Sequence, residues 1–185
     1  MELTEKQLSS ERLYDGKIVK LYRDRVELPN GREAFREVVR HPGGVIILPI
    51  DNEGNVRMVR QFRYPYNRAI LEIPAGKLEY GEEPFSAARR ELSEEIGANA
   101  GHWVEMGKLL PTPGFCDEVQ HLYLARDLTF GETHPDEDEF LEQVKLPFAE
   151  AYAMAADGRL QDSKTVVALL RAHLRMEEER WISGS

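Results

Sequence analysis

The stretch that decides the fold runs from Gly76 to Ala98 and reads GKLEYGEEPFSAARRELSEEIGA. Its second part predicts a helix from about Pro84 to Ile96, because proline suits the first helical turn and Gly97 suits the residue after the last one. One narrow stripe of this helix is apolar at the 3.6-residue helical period, and we expect it to face the core. Its members are Phe85, Ala88, Leu92 and Ile96.

Three glutamates crowd the same helix, namely Glu91, Glu94 and Glu95. Like charges at this spacing repel one another, and Glu95 also lies near the negative end of the helix dipole. A hard divalent cation would reverse the sign of these interactions, because Mg²⁺ prefers carboxylate oxygens. The residues alone leave two interpretations open, which are a metal site and a solvated acidic face balanced by Arg89 and Arg90.

Composition indicates an ordinary globular chain of one domain. It has 185 residues, of which 42% are hydrophobic and 31% charged, and these values are typical of folded proteins. The net charge of −9 and pI near 5.2 disfavour nucleic acid and anionic membranes as partners.

Localisation is inferred from three features of the sequence. Cys116 is the only cysteine, so no disulfide can form within the chain. The sequence starts with charged residues where a signal peptide is apolar, and no apolar run reaches the roughly 20 residues that span a bilayer. We therefore expect a cytoplasmic protein without a membrane partner.

Alternating and apolar runs predict the strands. A hairpin is expected from residues 17–28 and 34–41 around the turn Pro29–Gly31. A buried strand at 44–50, with its neighbour at 56–64, should precede a strand at 69–75 that ends at Pro74 and Gly76. Later strand candidates are residues 102–110, 120–128 and 140–146.

Two more helices are expected after these strands. One runs from Pro147 to Gly158, and the other from a cap-like Asp162 to Arg180. The order of elements predicts a mostly antiparallel or mixed sheet flanked by a few helices, that is, an α+β or α/β sandwich.

The spacing of the opening stretch resembles the Nudix box, GX5EX7REUXEEXGU, in which U is apolar. Every fixed position is present, with Ala98 smaller than the usual aliphatic residue: Gly76, Glu82, Arg90, Glu91, Leu92, Glu94, Glu95 and Gly97. So many specified residues at fixed spacing make a strong signal.

This resemblance implies an α/β/α sandwich around a mixed sheet, with an N-terminal antiparallel strand region. It also implies hydrolysis of a nucleoside diphosphate linked to another group, with Mg²⁺ as cofactor and Mn²⁺ able to substitute. Metal ligands by this pattern are Glu91, Glu94 and Glu95, and Glu82 with Arg90 braces the loop and helix. Glu94 and Arg90 are thereby assigned to the catalytic machinery.

Outside the box the chain resembles the ADP-ribose pyrophosphatase branch. The segments that carry this likeness are REVVRHPG (36–43), RQFRYP (60–65), EIPAGKLE (72–79) and PTPGFCDE (111–118). The branch implies cleavage of ADP-ribose to AMP and ribose 5-phosphate. Two alternatives stay open, which are hydrolysis of other nucleoside diphosphate sugars and a non-catalytic module that binds ADP-ribose-like ligands.

The same resemblance assigns further residues of the site. The Ala75 carbonyl joins the metal ligands, Arg40 and Arg63 contact the diphosphate or ribose, and Phe35 stacks on adenine. Gly114 and Glu118 are assigned to substrate binding. The structural alternatives are an outward-facing Arg63 on an edge strand and an ordinary core position for Phe35.

The general base is expected on the loop before the strand at 140–146. Alignment of that strand favours Glu139, with Glu137 second, and a solvated acidic loop is the alternative. We expect this loop to close over substrate.

The branch also implies a homodimer in which the N-terminal strands cross to the partner and help form its site, so that Phe35 or Arg40 would serve the neighbouring subunit. We accordingly expect an N-terminal strand region at 1–42, a hydrolase domain at 43–180 and a tail at 181–185.

Overall fold

The computed structural model describes residues 3–134 and 140–183, with side chains as far as Met176. Within these residues the elements follow one another as β1 (Lys6–Asp15), β2 (Lys20–Glu27), β3 (Glu33–Arg40), β4 (Gly44–Pro49), β5 (Asn55–Arg63), a 3-10 turn (Tyr64–Tyr66), β6 (Arg68–Glu72), β7 (Ala75–Lys77), α1 (Pro84–Ile96), β8 (Ala98–Leu109), β9 (Gln120–Phe130), β10 (Leu141–Pro147), α2 (Phe148–Ala156) and α3 (Ser163–Ser183). None of these helices is long and apolar enough to cross a membrane.

The described strands form three sheets. The first is antiparallel in the order β1-β2-β3, and the second is antiparallel in the order β10-β5-β6. The third has the order β7-β4-β9-β8 and is mixed, because β4 and β9 run parallel while the other pairs are antiparallel.

The first compact unit comprises the chain up to Gly43 together with Leu110–Val119. The predicted hairpin is confirmed, with β2 and β3 paired antiparallel around the turn that contains Gly31. Gly31 has a φ of 79°, which favours glycine. Sequence reasoning missed β1, whose ten residues are almost all exposed and therefore lack the apolar alternation of a core strand.

The second compact unit comprises Gly44–Leu109 and the chain from Gln120 onward. Its central strand β4 is buried along its whole length. Ile46 and Leu48 pack into one cluster with residues of α2 and α3, whereas Val45 and Ile47 pack into another with residues of α1. Alternate side chains of one strand thus face opposite helical layers. This arrangement is the predicted α/β/α sandwich.

Two strand predictions are wrong. β4 and β5 are not paired neighbours, because they lie in different sheets. The pairing between their ends is an isolated bridge from Ile50 to Val56. The strand expected at 69–75 is split at Pro74 into β6 and β7, which belong to different sheets. Proline cannot donate to a strand ladder, so pairing stops there and the chain changes sheet.

Helix α1 has the predicted ends. Glu83 caps its start by accepting a hydrogen bond from Ser86 N at 3.1 Å, and Gly97 follows its end with a φ of 64°. The predicted core stripe needs one correction, because Phe85 is 37% exposed and packs edge-on against the Trp103 ring. α3 continues to Ser183, beyond its predicted end at Arg180.

Candidate active site

Arg90 joins the loop before α1 to the helix itself. Its Nε and Nη2 donate to the two carboxylate oxygens of Glu82 at 3.0 and 3.1 Å. Glu82 also accepts the backbone N–H of Glu79 at 2.9 Å. The hydrogen bonds from Arg90 hold the pKa of Glu82 below its usual value, and those to Glu82 raise the pKa of Arg90. This paired fork is the expected brace of the loop and helix.

The third nitrogen of Arg90 reaches the glutamate cluster. Nη1 donates to Glu91 at 2.8 Å and to Glu94 at 2.9 Å. Glu91 and Glu95 are only 8% and 5% exposed. The interpretation as a solvated acidic face is therefore wrong for these two glutamates, because their side chains are buried. Charged side chains are buried to this degree only when they are paired.

Gly76 lies directly against the Glu91 carboxylate. A Cβ added at Gly76 would stand 1.8 Å from Glu91 Oε1. Only a residue without a side chain allows this approach, so the carboxylate lies against the backbone next to Ala75.

The residues around Gly76 fit a hard divalent cation in their chemistry. They offer carboxylate oxygens from Glu91, Glu94 and Glu95 and the backbone carbonyl of Ala75, all of them oxygen donors. In the part of the chain that the structure describes, no three His, Cys, Asp or Glu side chains converge as a metal cluster. The Arg90 guanidinium instead bridges Glu91 and Glu94.

Arg63 lies on β5, the middle strand of its sheet, so the edge-strand alternative is wrong. Its Nε and Nη2 each donate to Glu72 at 2.7 Å, and Glu72 also accepts from Lys164. Burial raises the pKa of Glu72, but the hydrogen bonds from Arg63 and the charge of Lys164 outweigh it, and the net pKa lies below the usual value.

Sequence reasoning did not single out Glu72 or Lys164. The signal was present, because Glu72 is a charged residue within the apolar run AILEIPA. A carboxylate in a buried strand needs a cationic partner.

In the first unit, Arg40 and Phe35 lie on β3. Arg40 donates to Asp24 at 2.9 Å and to Asp117 at 3.2 Å. Phe35 is 63% exposed, with the Arg23 guanidinium 5.5 Å from its ring centroid. The core position considered for Phe35 is therefore wrong.

Gly114 and Glu118 lie in the Leu110–Val119 segment of the same unit. Both line a cleft of about 410 Å³. Asp117 fixes this segment by accepting the His41 backbone N–H at 2.7 Å, and Glu118 lies 3.9 Å from His41 Nδ1. The predicted bases Glu137 and Glu139 lie outside the described residues.

The fold is an α/β/α sandwich, and the candidate site lies on an acidic loop and helix. Residues 40–169 match the NUDIX domain, and residues 5–39 match the nucleoside diphosphate sugar hydrolase N-terminal domain. The chain therefore belongs to the Nudix hydrolase family, whose members generally use divalent metal ions.

Relatives extend over nearly the whole chain. The chain is 44% identical over 176 residues to a methanol dehydrogenase activator of Bacillus methanolicus, which covers 94% of both chains. It is 42% identical over 175 residues to an ADP-ribose pyrophosphatase of Bacillus subtilis (strain 168), with 94% of this chain and 95% of the relative covered. A solved ADP compounds hydrolase shares the fold, with a TM-score of 0.86, 24% identity and coverage of 97% and 98%.

Proposed function

We propose that the chain hydrolyses the diphosphate bond of ADP-ribose and releases AMP and ribose 5-phosphate. The observation that carries this proposal is the Arg90 network, in which one guanidinium holds Glu82, Glu91 and Glu94 while Glu91 stays buried. The relative described as an ADP-ribose pyrophosphatase supports the choice of substrate.

The proposed cofactor is Mg²⁺, for which Mn²⁺ can substitute. Glu91, Glu94, Glu95 and the Ala75 carbonyl would hold it. A bound divalent cation neutralises phosphate oxygens and lowers the pKa of a bound water. Arg90 contributes by keeping Glu91 and Glu94 side by side, since its fork on Glu82 fixes the guanidinium.

Other residues bind the substrate and move the proton. In the second unit, Arg63 contacts the diphosphate or ribose. The roles proposed for the first unit, in this subunit or its neighbour, are contact with the diphosphate or ribose by Arg40, stacking on adenine by Phe35 and substrate binding by Gly114 and Glu118. Water attacks one phosphorus, the bridging P–O bond breaks, and Glu139, with Glu137 as the second candidate, accepts the proton of that water.

The test is release of the matching nucleoside monophosphate, AMP, UMP or GMP, from ADP-ribose, other ADP-sugars, UDP- and GDP-sugars and dinucleotides, each with Mg²⁺. Wild type is compared with Glu95→Gln and with the exposed control Glu150→Gln. We expect ADP-ribose to be cleaved best, with a loss of about 100-fold or more in Glu95→Gln only. Equal activity of wild type and Glu95→Gln would overturn the proposal.

Two alternatives concern the same site. The match to a nucleoside diphosphate sugar hydrolase N-terminal domain supports hydrolysis of other nucleoside diphosphate sugars. In that case the substrate panel should show a nucleotide sugar other than ADP-ribose cleaved best. A pure binding module would bind ADP-ribose without turnover, but it has no need to keep Glu91, Glu94 and Glu95 together.

A second candidate function is stimulation of a methanol dehydrogenase. The 44% identity to a protein described as such an activator favours it. The test is the rate of a methanol dehydrogenase with and without this chain, and with Glu95→Gln. An unchanged rate with the wild-type chain would exclude this function for the dehydrogenase assayed.

The proposal also includes a cytoplasmic homodimer. The lone Cys116 suits a reducing compartment, because disulfides form and persist mainly in oxidising compartments. Sedimentation equilibrium measures the state of assembly, and a mass of about 21.2 kDa at working concentration would overturn the dimer.

A further inference from the structure

The start of α3 contacts Glu72, the last residue of β6, and Ile73, the residue that follows it. Lys164 donates to Glu72 and, at 2.9 Å, to Asp162. Thr165 Oγ1 accepts the backbone N–H of Ile73 at 3.0 Å and donates to Asp162 at 2.5 Å. Asp162 also accepts the Thr165 N–H at 3.0 Å and so caps the helix that presents Lys164.

These contacts fix a carboxylate that is almost inaccessible. Glu72 is 2% exposed, and an ionised group buried to this degree requires cationic partners in defined geometry. Arg63 supplies two hydrogen bonds through its fork, and Lys164 supplies another to the same Oε2 that receives Arg63 Nη2. The carboxylate is therefore held from two sides.

One edge of the Arg63 guanidinium remains available. Among the described residues, Arg63 Nη1 makes no hydrogen bond, whereas Nε and Nη2 are both engaged. Arg63 and Lys164 line a cleft of about 390 Å³ together with Tyr66 and Arg68. The fork on Glu72 thus fixes a guanidinium that belongs to the lining of this cleft, and a guanidinium is a group that binds anions.

The positive and negative charges of the four residues Arg63, Glu72, Asp162 and Lys164 balance. Glu72 and Asp162 carry two negative charges, and Arg63 and Lys164 carry two positive ones. Loss of Lys164 would leave an excess negative charge beside a position assigned to an anionic substrate. It would also free the Glu72 carboxylate to rotate, and the Arg63 fork with it.

We propose that Lys164 is a positioning residue for the substrate: it holds Glu72, Glu72 holds the fork of Arg63, and Arg63 Nη1 is thereby aimed at the diphosphate. This inference rests on the proposed function in that Arg63 binds the diphosphate. Lys164 acts through Arg63 and is itself not a catalytic residue.

The test is a double-mutant cycle between the two cations. Wild type, Lys164→Met, Arg63→Ala and the double variant are assayed for KM and kcat with ADP-ribose and Mg²⁺. We expect Lys164→Met to raise KM about tenfold with kcat changed less than about threefold. In the Arg63→Ala background the same change should alter KM less than about twofold, because the effects of residues that share a partner, here Glu72, are not additive.

Two controls separate positioning from general loss of structure. Lys164→Arg keeps the positive charge and the hydrogen-bond donors, and its KM for ADP-ribose should be close to that of wild type. Lys145→Met removes an exposed lysine that is paired with Glu53 and should leave KM unchanged. Circular dichroism checks folding of each variant, and Lys164→Gln replaces Lys164→Met if the latter does not fold.

The outcomes distinguish the two proposals. Additive effects of Lys164→Met and Arg63→Ala, or an unchanged KM in Lys164→Met, would overturn the positioning role. If wild type binds ADP-ribose in calorimetry without turnover, hydrolysis fails, and the same cycle measured as Kd still decides the role of Lys164. If wild type does not bind ADP-ribose at all, both proposals fall.

Discussion

At the residue scale, Gly76 shows how a missing side chain can decide whether a site forms. The Glu91 carboxylate occupies the space that a Cβ at residue 76 would need. Glycine here therefore serves close approach rather than an unusual backbone angle. The Nudix-box pattern predicted that glycine belongs at this position, but its contact with Glu91 became visible only in the folded chain.

Gly76→Ala should damage both activity and stability. The new methyl group would displace the Glu91 carboxylate, and overpacking of this kind costs about 1–3 kcal/mol. We expect kcat/KM for ADP-ribose to fall by about 100-fold or more. Gly131→Ala is the control, since the nearest atom to its added Cβ lies 3.8 Å away. Steady-state kinetics and urea unfolding measure the effects, and equal behaviour of the two variants would contradict this account.

Glu72 should make stability depend on pH in the acid range. Its pKa in the folded chain lies below the ordinary 4.5, so its ionised form contributes stability above about pH 4.5. That contribution is lost as the pH falls from 4.5 through the lower folded pKa. Glu72→Gln leaves Arg63 and Lys164 without their carboxylate and should cost about 3–5 kcal/mol at pH 7.

Urea unfolding from pH 7 to pH 3.5 measures this difference. The difference in free energy of unfolding between wild type and Glu72→Gln should become smaller below pH 4.5. Glu142→Gln removes an exposed partner of Arg60, and we expect it to cost less than about 1 kcal/mol. If the difference in free energy of unfolding between wild type and Glu72→Gln stays constant down to pH 3.5, the Glu72 carboxylate does not govern the loss of stability in acid.

At the element scale, the helices α1 and α3 differ in how far the sequence predicts them. α1 was predicted from end to end, because Pro84, Gly97 and the apolar spacing are local signals. α3 was predicted in outline, but its contacts with β6 were not. Those contacts join residues 92 positions apart, such as Ile73 and Thr165, and helical periodicity carries no information about them.

Thr165→Val should weaken the link between α3 and β6. Valine preserves the shape but leaves the buried N–H of Ile73 without its acceptor, which costs about 1–3 kcal/mol. Thr165→Ser keeps the hydroxyl and should lower the free energy of unfolding by less than half as much as Thr165→Val. The free energy of unfolding in urea is the measurement. A loss in Thr165→Ser equal to that in Thr165→Val would show that the methyl group, rather than the hydrogen bond, matters.

At the scale of the whole molecule, the α/β/α sandwich explains why Glu91 and Glu95 can be buried. α1 packs its apolar residues onto β4 and β9, and this packing carries the adjacent glutamates inward with them. A ligand that binds these glutamates in the folded chain should therefore stabilise the second unit.

Mg²⁺ should raise the midpoint of thermal unfolding. Ligand at about 100 times its Kd stabilises a folded protein by about 2.7 kcal/mol. We expect an upward shift for wild type and a much smaller one for Glu95→Gln, with Glu150→Gln behaving as wild type. Differential scanning calorimetry with and without Mg²⁺ measures the shift. Identical shifts in wild type and Glu95→Gln would exclude Glu95 from the metal site.

The sequence by itself determined α1, the hairpin of β2 and β3, the buried β4 and the family, because caps, turns and fixed motif spacing are local along the chain. The tertiary structure alone decided that β6 and β7 join different sheets, that β5 is a middle strand and that Glu72 is joined to Arg63 and Lys164. Strand partners and buried ion pairs depend on residues far apart in the chain, and the free energy that selects them comes from burial and charge pairing in the folded molecule.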